Sequence, residues 1–388
     1  RSTLFPYTTL FRSGSCFIQT LGCQMNFSDS ERIAHLLEKN GFVASQKIEQ
    51  ADLVIFNTCG IRQSSEYRAF GLIHNLRKKK PAAFIVLTGC LAQRKDVLQK
   101  MKKRVNLFLP IKNILELPKI FKLQFKKYKL QNYANHSLEE TSEIIDYLKI
   151  CPKYSNPSMA FVPIMTGCNN FCSYCVVPYA RGQEISRPLE EIFEEIANLK
   201  KINNCQEITL LGQNVNSYTY QLENNFSNLK PSKITFPILL NLLAQSFSEI
   251  TFKFISSHPK DFSEKLMRVI ASNSNISREI HLPLQSGSDK ILKAMNRPYT
   301  QKYYLNLIEK ARQIIPGAEF TTDAIVGFPG ETKEDFLQTK KVFELVNYNE
   351  AYINKYSPRP TATAYSLGDP IPLKTKKERE KILRKLIK

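Results

Sequence analysis

DLVIFNTC (residues 52–59) is an apolar run that ends in a cysteine, and two similar runs stand on either side of it. They are FIQTLGC (17–23) and FIVLTGC (84–90), and a stretch with helical character follows each of the three runs. Successive strand and helix units predict a parallel sheet with right-handed crossovers. We therefore expect the three terminal cysteines to lie at the carboxyl ends of strands. These are Cys23, Cys59 and Cys90.

The recurrence of cysteine at the same structural position favours a ligand set. A buried cysteine is often only a small apolar side chain, and that interpretation stays open for each of the three. Ligands of open α/β sheets, however, bind at the carboxyl edge, where the N-terminus of the following helix also stabilises a thiolate. The pattern indicates a thiolate site in an N-terminal domain.

A second series of strand and helix units follows a polar stretch. Residues 136–158 are expected to be a linker between an N-terminal domain (14–135) and a second domain (159–373). In the second domain, six apolar runs alternate with helical stretches and predict a partial (β/α)6 barrel, whose ligands bind at the carboxyl ends of the strands. The runs are AFVPIM (160–165), EITLLG (207–212), TFKFIS (251–256), EIHLPL (279–284), FTTDAIVGF (320–328) and AYINKY (351–356).

The first of these runs leads into GCNNFCSYC (167–175), which contains three cysteines and no fourth. They are Cys168, Cys172 and Cys175. Thiolates favour zinc or an iron–sulfur cluster, and three of them leave one coordination position open. Histidine could complete a zinc site, but the chain has only five histidines and none lies in this loop. In a 4Fe-4S cluster, the open iron can instead bind a substrate or cofactor.

Composition excludes several classes of protein. No apolar run is long enough to span a membrane, and 43% apolar residues in a chain of 388 can bury a large core. Nine cysteines, an odd number, argue against a disulfide scaffold and for metal or redox chemistry in a reducing, cytoplasmic compartment. With 55 Lys and Arg against 35 Asp and Glu, the formal net charge is +20.

The positive charge is concentrated in residues 100–130, where ten basic residues face one acid, Glu116. Basic residues with aromatics between them suit nucleic acid, although a solvated surface is the alternative. The basic residues are Lys100, Lys102, Lys103, Arg104, Lys112, Lys119, Lys122, Lys126, Lys127 and Lys129, and the aromatics are Phe108, Phe121, Phe125 and Tyr128.

Several segments resemble, in order, those of the radical S-adenosylmethionine methylthiotransferases. The resemblance covers residues 16–388 and is strongest to the bacterial group that acts on isopentenyladenosine in tRNA. Three segments are similar to the auxiliary-cluster segments of that family: GCQMNFSDSE (22–31), NTCGIR (57–62) and TGCLAQR (88–94). Five are similar to its catalytic segments: GCNNFCSYCVVPYARGQEISRP (167–188), GQNVNSY (212–218), SSHPKD (256–261), HLPLQSGSDKILKAMNRPYT (281–300) and DAIVGFPGETKEDF (323–336).

The resemblance implies two 4Fe-4S clusters and S-adenosylmethionine as cofactors. The cysteines of the N-terminal domain would hold the auxiliary cluster, and Cys168, Cys172 and Cys175 the cluster that generates a radical. Gly212, Gln213 and Arg181 would contact S-adenosylmethionine. The implied reaction is abstraction of hydrogen from C2 of isopentenyladenosine at position 37 of tRNA, followed by methylthio transfer. Adenine C2–H is inert to acid–base catalysis, which is a physical reason for a radical.

The resemblance further implies a flavodoxin or ferredoxin as electron donor, a monomer and no membrane. Residues 1–13 lack a starting Met and half-repeat themselves, so we expect them to be an artefact of cloning or assembly, or disordered. Relatives carry a small C-terminal β-barrel, whereas this sequence ends in a basic helical segment (374–388). We therefore expect the chain to be a fragment. Cys16, Cys151 and Cys205 match no ligand position of the family.

Three alternatives remain at this point. Sister enzymes act on a ribosomal-protein aspartate, but they tend to read GCPKN where this chain has GCQMN (22–26), and they lack GQNVNSY. Another group acts on threonylcarbamoyl-adenosine in tRNA and also differs at these segments. A non-catalytic RNA-binding metalloprotein is the third alternative. It would hold one zinc ion in place of about eight irons.

Overall fold

The computed structural model describes residues 14–61, 63–121, 146–222 and 233–388. The chain forms two compact units, and the boundary between them falls between Lys153 and Tyr154. Tyr147 and Leu148, which belong to the stretch expected to be a linker, are buried in the core of the first unit.

The first unit contains a five-stranded, wholly parallel sheet, as the repeated strand and helix units predict. The spatial order of its strands is β2-β1-β3-β4-β5. They are β1 (Ser15–Leu21), β2 (Val43–Ala44), β3 (Leu53–Thr58), β4 (Phe84–Gly89) and β5 (Leu107–Phe108). The helices are α1 (Gln24–Lys39), α2 (Gln63–Lys79) and α3 (Lys95–Met101), with 3-10 turns at Ile48–Gln50, Ile111–Glu116 and Asp146–Lys149.

Both faces of this sheet are covered. All six residues of β3 and all six of β4 are buried, which is why these strands are continuous apolar runs and not alternating ones. Leu37 of α1 and Ile55 of β3 share one buried cluster, and Ile73 of α2 and Phe56 of β3 share another. The central strands are therefore fixed on both sides, and so are the loops that leave them.

The second unit contains six parallel strands in chain order. β6 (Met159–Pro163), β9 (Glu207–Leu211) and β12 (Thr251–Phe254) form one hydrogen-bonded group, and β13 (Glu279–His281), β14 (Glu319–Val326) and β15 (Glu350–Lys355) form the other. The two groups are joined at Phe252, whose N–H donates to Asn275 O at 2.8 Å and whose carbonyl accepts from Ser277 N–H at 2.9 Å. The first and last strands do not pair within the described ranges. The prediction of a partial (β/α)6 barrel is confirmed.

Helices cover one face of these strands. The helices are α4 (Val177–Arg181), α5 (Leu189–Asn203), α6 (Phe236–Ser246), α7 (Glu264–Ser272), α8 (Asp289–Ala294), α9 (Gln301–Ile314), α10 (Lys333–Val346) and α11 (Leu373–Arg384). Short strands β7 (Met165–Thr166) and β8 (Ile185–Ser186) pair with each other, as do β10 (Thr219–Gln221) and β11 (Lys233–Thr235). Leu383 of α11 is fully buried in the main core. The final helix therefore packs on the barrel.

The other face of the strands is polar. Ile280 and Phe320 point into the main core, so the next residue of each strand points the opposite way. These next residues are His281 and Thr321, whose Nδ1 and Oγ1 lie 2.9 Å apart, and the second ring nitrogen of His281 lies 3.1 Å from Asp323 Oδ2. The barrel thus offers hydrogen-bonding groups on the face that the helices leave uncovered.

Replacing either of two glycines in the first unit with alanine should change its stability, in opposite directions for the two positions. Gly89 ends β4 at φ +80°, and a Cβ there would lie 2.5 Å from Thr58 O. Gly71 is exposed within α2, and a Cβ there would meet nothing within 4 Å. We expect Gly89→Ala to destabilise the unit by about 2 kcal/mol or more, and Gly71→Ala to stabilise it by about 0.5–1 kcal/mol.

Hydrogen exchange of the β3 and β4 amides, measured for both variants, reports these changes within the unit. Unchanged protection in Gly89→Ala would contradict the requirement for glycine at this strand end.

Candidate functional site

The three cysteines of the first unit follow three adjacent strands at one edge of the sheet. Leu21, Thr58 and Gly89, the last residues of β1, β3 and β4, stand side by side in the ladder. The ladder continues one residue further, because Cys59 N–H donates to Leu21 O and Cys90 N–H donates to Thr58 O, both at 2.9 Å. Cys23 begins α1 two residues after Leu21. The sheet thus brings these residues, far apart in the sequence, to one edge.

Close backbone packing fixes this edge. A Cβ on Gly60 would lie 3.0 Å from the carbonyl oxygen of Cys90 and 3.1 Å from its Cβ. A Cβ on Gly22 would lie 2.0 Å from Asn26 Oδ1. Gly22 and Gly60 therefore allow the close packing of the loops that carry these thiols.

A buried amide pair links the first two cysteines. Asn26 Nδ2 donates to Asn57 Oδ1 at 3.0 Å, and Asn57 Nδ2 donates back to Asn26 O at 2.8 Å. Asn26 Oδ1 in turn accepts the N–H of Cys23 at 3.2 Å, and Cys59 Sγ accepts the N–H of Ile61 at 3.3 Å. An N–H directed at sulfur and a position at a helix N-terminus both favour thiolates.

The cysteines of the second unit lie in a tightly turned loop after β7. Gly167 has φ +81°, and a Cβ there would lie 1.8 Å from Gln183 O. Cys168 N–H donates to Gly182 O at 3.1 Å, and Cys175 N–H donates to Cys172 O at 2.9 Å. The backbone bonds hold the loop against the end of α4.

The C-terminus of α8 clamps the same loop from the other side. Ser173 N–H donates to Met295 O at 3.0 Å, and Ser173 Oγ donates to Ala294 O at 2.8 Å. Asn296 Nδ2 donates to the carbonyls of Asn170 and Phe171 at 3.1 and 3.0 Å. Asn296 was not recognised as a site residue from sequence, although it lies in the quoted segment MNRPYT (295–300). An Asn after a short helix is the only local signal.

Each of the three sulfurs in this loop accepts a hydrogen bond. The donors are Asn170 Nδ2 to Cys168 at 3.5 Å, Arg297 Nη1 to Cys172 at 3.5 Å, and Val177 N–H to Cys175 at 3.4 Å. Hydrogen bonds to ligating sulfur set the potential of iron–sulfur clusters. Burial raises the pKa of the Cys168 thiol, so binding of a metal must supply the energy to deprotonate it.

Arg297 is a buried cation beside this loop. Burial opposes its charge, but Tyr299, Tyr174 and Cys172 beside it hold its pKa above the usual value. Its Nε donates to Tyr299 Oη at 2.9 Å and its Nη2 donates to Pro283 O at 3.2 Å. These bonds fix the guanidinium toward the Cys172 sulfur. Sequence reasoning did not single out this arginine.

In the described parts of the chain, no three His, Cys, Asp or Glu side chains come close enough to hold one metal ion together.

Buried polar atoms without partners collect beside this loop, after β9 and β12. These neighbouring strands pair Leu210 with Phe254, so the segments that follow them lie at the same edge of the barrel. Burying a polar atom without a hydrogen bond costs about 1–3 kcal/mol, so these atoms favour a polar ligand or water that supplies the partners. The atoms are Gln213 Oε1, Asn214 Oδ1, Asn216 Oδ1 and Nδ2, Ser257 Oγ and His258 Nε2.

Three residues predicted to contact S-adenosylmethionine differ in what surrounds them. Gln213 carries one of these partnerless oxygens. A Cβ on Gly212 would lie 2.6 Å from Met165 Cγ, so this glycine makes room for packing. Arg181 is buried at the end of α4. Arg187 Nη1 donates to Pro163 O and to Glu195 Oε2, each at 2.8 Å, so this nearby arginine pairs within the fold.

His258 is a neutral hydrogen-bond donor among these groups. Its Nδ1 accepts the N–H of Lys260 at 3.2 Å, so the ring proton resides on Nε2. Burial, with the charges of Arg297 and Lys260, lowers its pKa to about 2. The Nε2–H group is therefore available to an acceptor on a ligand at any physiological pH.

The remaining cysteines lie away from both sets. Cys16 and Cys205 are buried near the amino ends of β1 and β9, and burial raises both pKa values, that of Cys16 to about 11. Cys151 is exposed. Among the described residues, no helix is both long and apolar enough to cross a membrane.

A partial parallel barrel with a three-cysteine loop at its ligand-binding edge is the architecture of the radical S-adenosylmethionine enzymes. The Radical SAM superfamily matches residues 162–343, and an uncharacterized protein family, UPF0004, matches residues 15–110. These assignments agree with the predicted fold class of both domains. Such an enzyme uses a 4Fe-4S cluster and S-adenosylmethionine.

The chain belongs to the family of tRNA-2-methylthio-N(6)-dimethylallyladenosine synthases. It is 44% identical over 368 residues to the synthase of Syntrophomonas wolfei, covering 93% of this chain and 79% of that one. It is 40% identical to the synthase of Parabacteroides distasonis, covering 95% and 78%. The predicted family and the predicted radical methylthiotransferase class are confirmed.

Solved structures support the fold alone, because their sequences are only 12% identical. The radical S-adenosylmethionine methyltransferase TsrM of Kitasatospora setae matches with a TM-score of 0.59, covering 90% of this chain and 77% of that one. The cobalamin-dependent radical enzyme OxsB matches with a TM-score of 0.58, covering 96% and 56%.

The depressed pKa of His258 is directly measurable. A histidine whose pKa is lowered to about 2 stays neutral as the pH falls from 8 through 5, whereas an ordinary histidine gains a proton near 6.5. We expect one imidazole in the NMR spectrum of ¹⁵N-histidine-labelled, iron-free protein to show the neutral Nε2–H pattern throughout this range. This imidazole signal should be missing from the spectrum of the His258→Gln variant. Titration of that signal near 6.5 would contradict the buried, neutral assignment.

Proposed function

We propose that the chain transfers a methylthio group to C2 of N6-isopentenyladenosine in tRNA, at position 37, with the two cysteine sets holding two separate clusters. The observation that carries the proposal is that each unit presents three cysteines at the carboxyl edge of its own parallel sheet. The relatives at 40% and 44% identity are named for this product.

Cys168, Cys172 and Cys175 are the proposed ligands of the cluster that binds S-adenosylmethionine. When bound, that pair supplies the radical that removes an unactivated hydrogen atom. In this proposal the cofactor takes the fourth ligand position, because the motif GCNNFCSYC (167–175) supplies only three cysteines. The partnerless groups after β9 and β12, led by Gln213 and His258, offer hydrogen bonds to its polar parts.

Arg297 has a positioning and electrostatic role in this proposal. Its N–H reaches the sulfur of Cys172, and its charge favours the thiolate and any negative charge that an added electron brings. Because Gly212 has no side chain, Met165 packs directly against the segment that carries Gln213. Arg181 provides a second buried cation at the end of α4. These contacts orient the loop without taking part in bond breaking.

Cys23, Cys59 and Cys90 are the proposed ligands of the second, auxiliary 4Fe-4S cluster. Three thiols follow adjacent strands on backbone that glycines and the Asn26–Asn57 pair hold in place. A cluster with three protein thiolates again has one iron open, which suits attachment of the sulfur that is transferred. The remaining partners in the proposal are a cytoplasmic flavodoxin or ferredoxin as electron donor, and the enzyme acts as a monomer.

The two cysteine sets should separate in function. Alanine at Cys168, Cys172 and Cys175 should abolish formation of 5′-deoxyadenosine and leave about half of the iron bound. Alanine at Cys23, Cys59 and Cys90 should also leave about half of the iron, with reductive cleavage of S-adenosylmethionine intact but no methylthio product. Both products and iron content are measured after anaerobic reconstitution with isopentenylated tRNA. Normal methylthio product from the second variant would refute the auxiliary site.

Arg297 should set the reduction potential of the cluster in its unit. Arg297→Met removes a positive charge beside Cys172, which makes addition of an electron harder and lowers the potential by on the order of 100 mV. Arg297→Lys keeps the charge and should stay close to the original potential. Spectroscopic redox titration of the variant lacking Cys23, Cys59 and Cys90 isolates this cluster. Equal potentials in the Met and Lys variants would contradict the electrostatic role.

A further inference from the structure

A strongly basic surface lies on the first unit, far from its cysteines. The ends of α2 and α3 and the turn after α3 together form a shallow groove of about 440 Å³. We call it the α2–α3 basic face, and its exposed or half-exposed members include His74, Lys78, Lys100, Lys102, Lys103 and Arg104.

This face has no acidic counterpart. Residues 63–104 contain eleven Lys and Arg but only two acids, Glu66 and Asp96. Both acids bind Arg94, at 2.7 and 2.6 Å, and Arg94 does not line the groove. The lysines of the face form no ion pair within the described residues. Repulsion among them is therefore not relieved within this part of the fold.

The face is also held in shape. Arg77 anchors it, because its Nη2 donates to Arg104 O at 2.7 Å and its Nη1 donates to Ala83 O at 2.9 Å. Lys100 Nζ lies 4.6 Å from the centre of the Phe70 ring, which fixes one cation by a cation–π contact. A solvated surface needs no such support, whereas a binding surface gains from it.

The position of the face limits what can bind there. α2 and α3 run back from the cysteine edge, so their C-termini lie at the amino ends of the strands, next to the start of β4. The six residues of β4 separate this edge from Cys90 by about 20 Å. An anion bound at the basic face is thus remote from a base that reacts at the cysteines.

We propose that the α2–α3 basic face binds phosphates of the tRNA body outside the anticodon stem-loop, so that whole tRNA binds more tightly than the isolated hairpin. This rests on the proposed function, which makes tRNA the substrate. A long polyanion can reach both the reacting edge and the opposite edge of one sheet. Of the residues expected from sequence to bind nucleic acid, this surface uses Lys100, Lys102, Lys103 and Arg104.

The rest of that basic segment does not contribute to the inference. Lys122, Lys126, Lys127 and Lys129 lie outside the described residues, as do Phe125 and Tyr128. Phe121 is buried, with its ring against Phe42 and Phe84 at centroid distances of 5.1 and 5.4 Å, so it belongs to the core and is not available for stacking on bases. The interpretation of this aromatic as a base-stacking residue is wrong.

The test measures binding of isopentenylated whole tRNA and of its isolated anticodon stem-loop as a function of salt. The variant Lys100→Gln, Lys102→Gln, Lys103→Gln should bind whole tRNA roughly ten- to a hundredfold more weakly, with a log–log salt slope lower by about 2 to 3. Hairpin binding should be unchanged. The control variant Lys265→Gln, Lys302→Gln, Lys341→Gln removes the same charge from exposed positions on the outer helices. It should change the affinity for neither RNA.

Three results would overturn the proposal. They are an unchanged slope for whole tRNA, equal losses for the two RNAs, and unchanged tRNA binding combined with weaker binding of reduced flavodoxin. The last would assign the face to an acidic protein. Failure of the proposed function would appear separately, as absence of methylthio product from the unmodified enzyme with either RNA.

Discussion

The parallel ladder that runs one residue past the ends of β3 and β4 is the constraint on which the first site depends. Cys59 and Cys90 donate their own N–H groups to the preceding strands, so their backbone is part of the sheet and not of a free loop. Residues on a buried sheet keep their position because the covering helices would have to separate before the strands could shift. Under the proposed function, this rigidity gives precision to a site that holds a cluster near a reacting base.

The second unit combines a clamped loop with unsatisfied polar groups. The loop of Cys168 to Cys175 is bonded on both sides, whereas Gln213, Asn214, Ser257 and His258 carry buried atoms without partners. Ser256 and Gln285, which follow strands at the same edge, adopt φ of +67° and +66°. Strained backbone and unpaired buried groups both cost stability, and both collect at functional sites. A polar ligand bound at this edge would supply the missing hydrogen bonds, which is the role proposed for the cofactor.

Much of this was predictable because strand runs and cysteines are local signals. The parallel sheet and the six-stranded barrel follow from runs such as FIVLTGC (84–90). The sequence shows the apolar character of such a run, its length and the residues that end it. Arg297 and Asn296 were not predictable in this way, because their roles depend on where α8 ends relative to a loop more than 120 residues earlier. Only part of the basic face could be predicted from the sequence. Lys78 and Lys100 lie on two different helices, and the fold brings them together.

Cations serve this protein in two environments that respond differently to salt. Arg297 lies beside Cys172 in a buried site, where the effective dielectric constant is low and mobile ions are excluded. The lysines of the α2–α3 basic face stand in water, where interactions beyond about 8–10 Å are screened at physiological ionic strength. Raising the salt concentration therefore weakens contacts at the basic face and leaves the thiolate–guanidinium contact nearly intact. Under the two proposals, ionic strength therefore separates RNA binding at the basic face from cluster chemistry at Cys172, without any mutation.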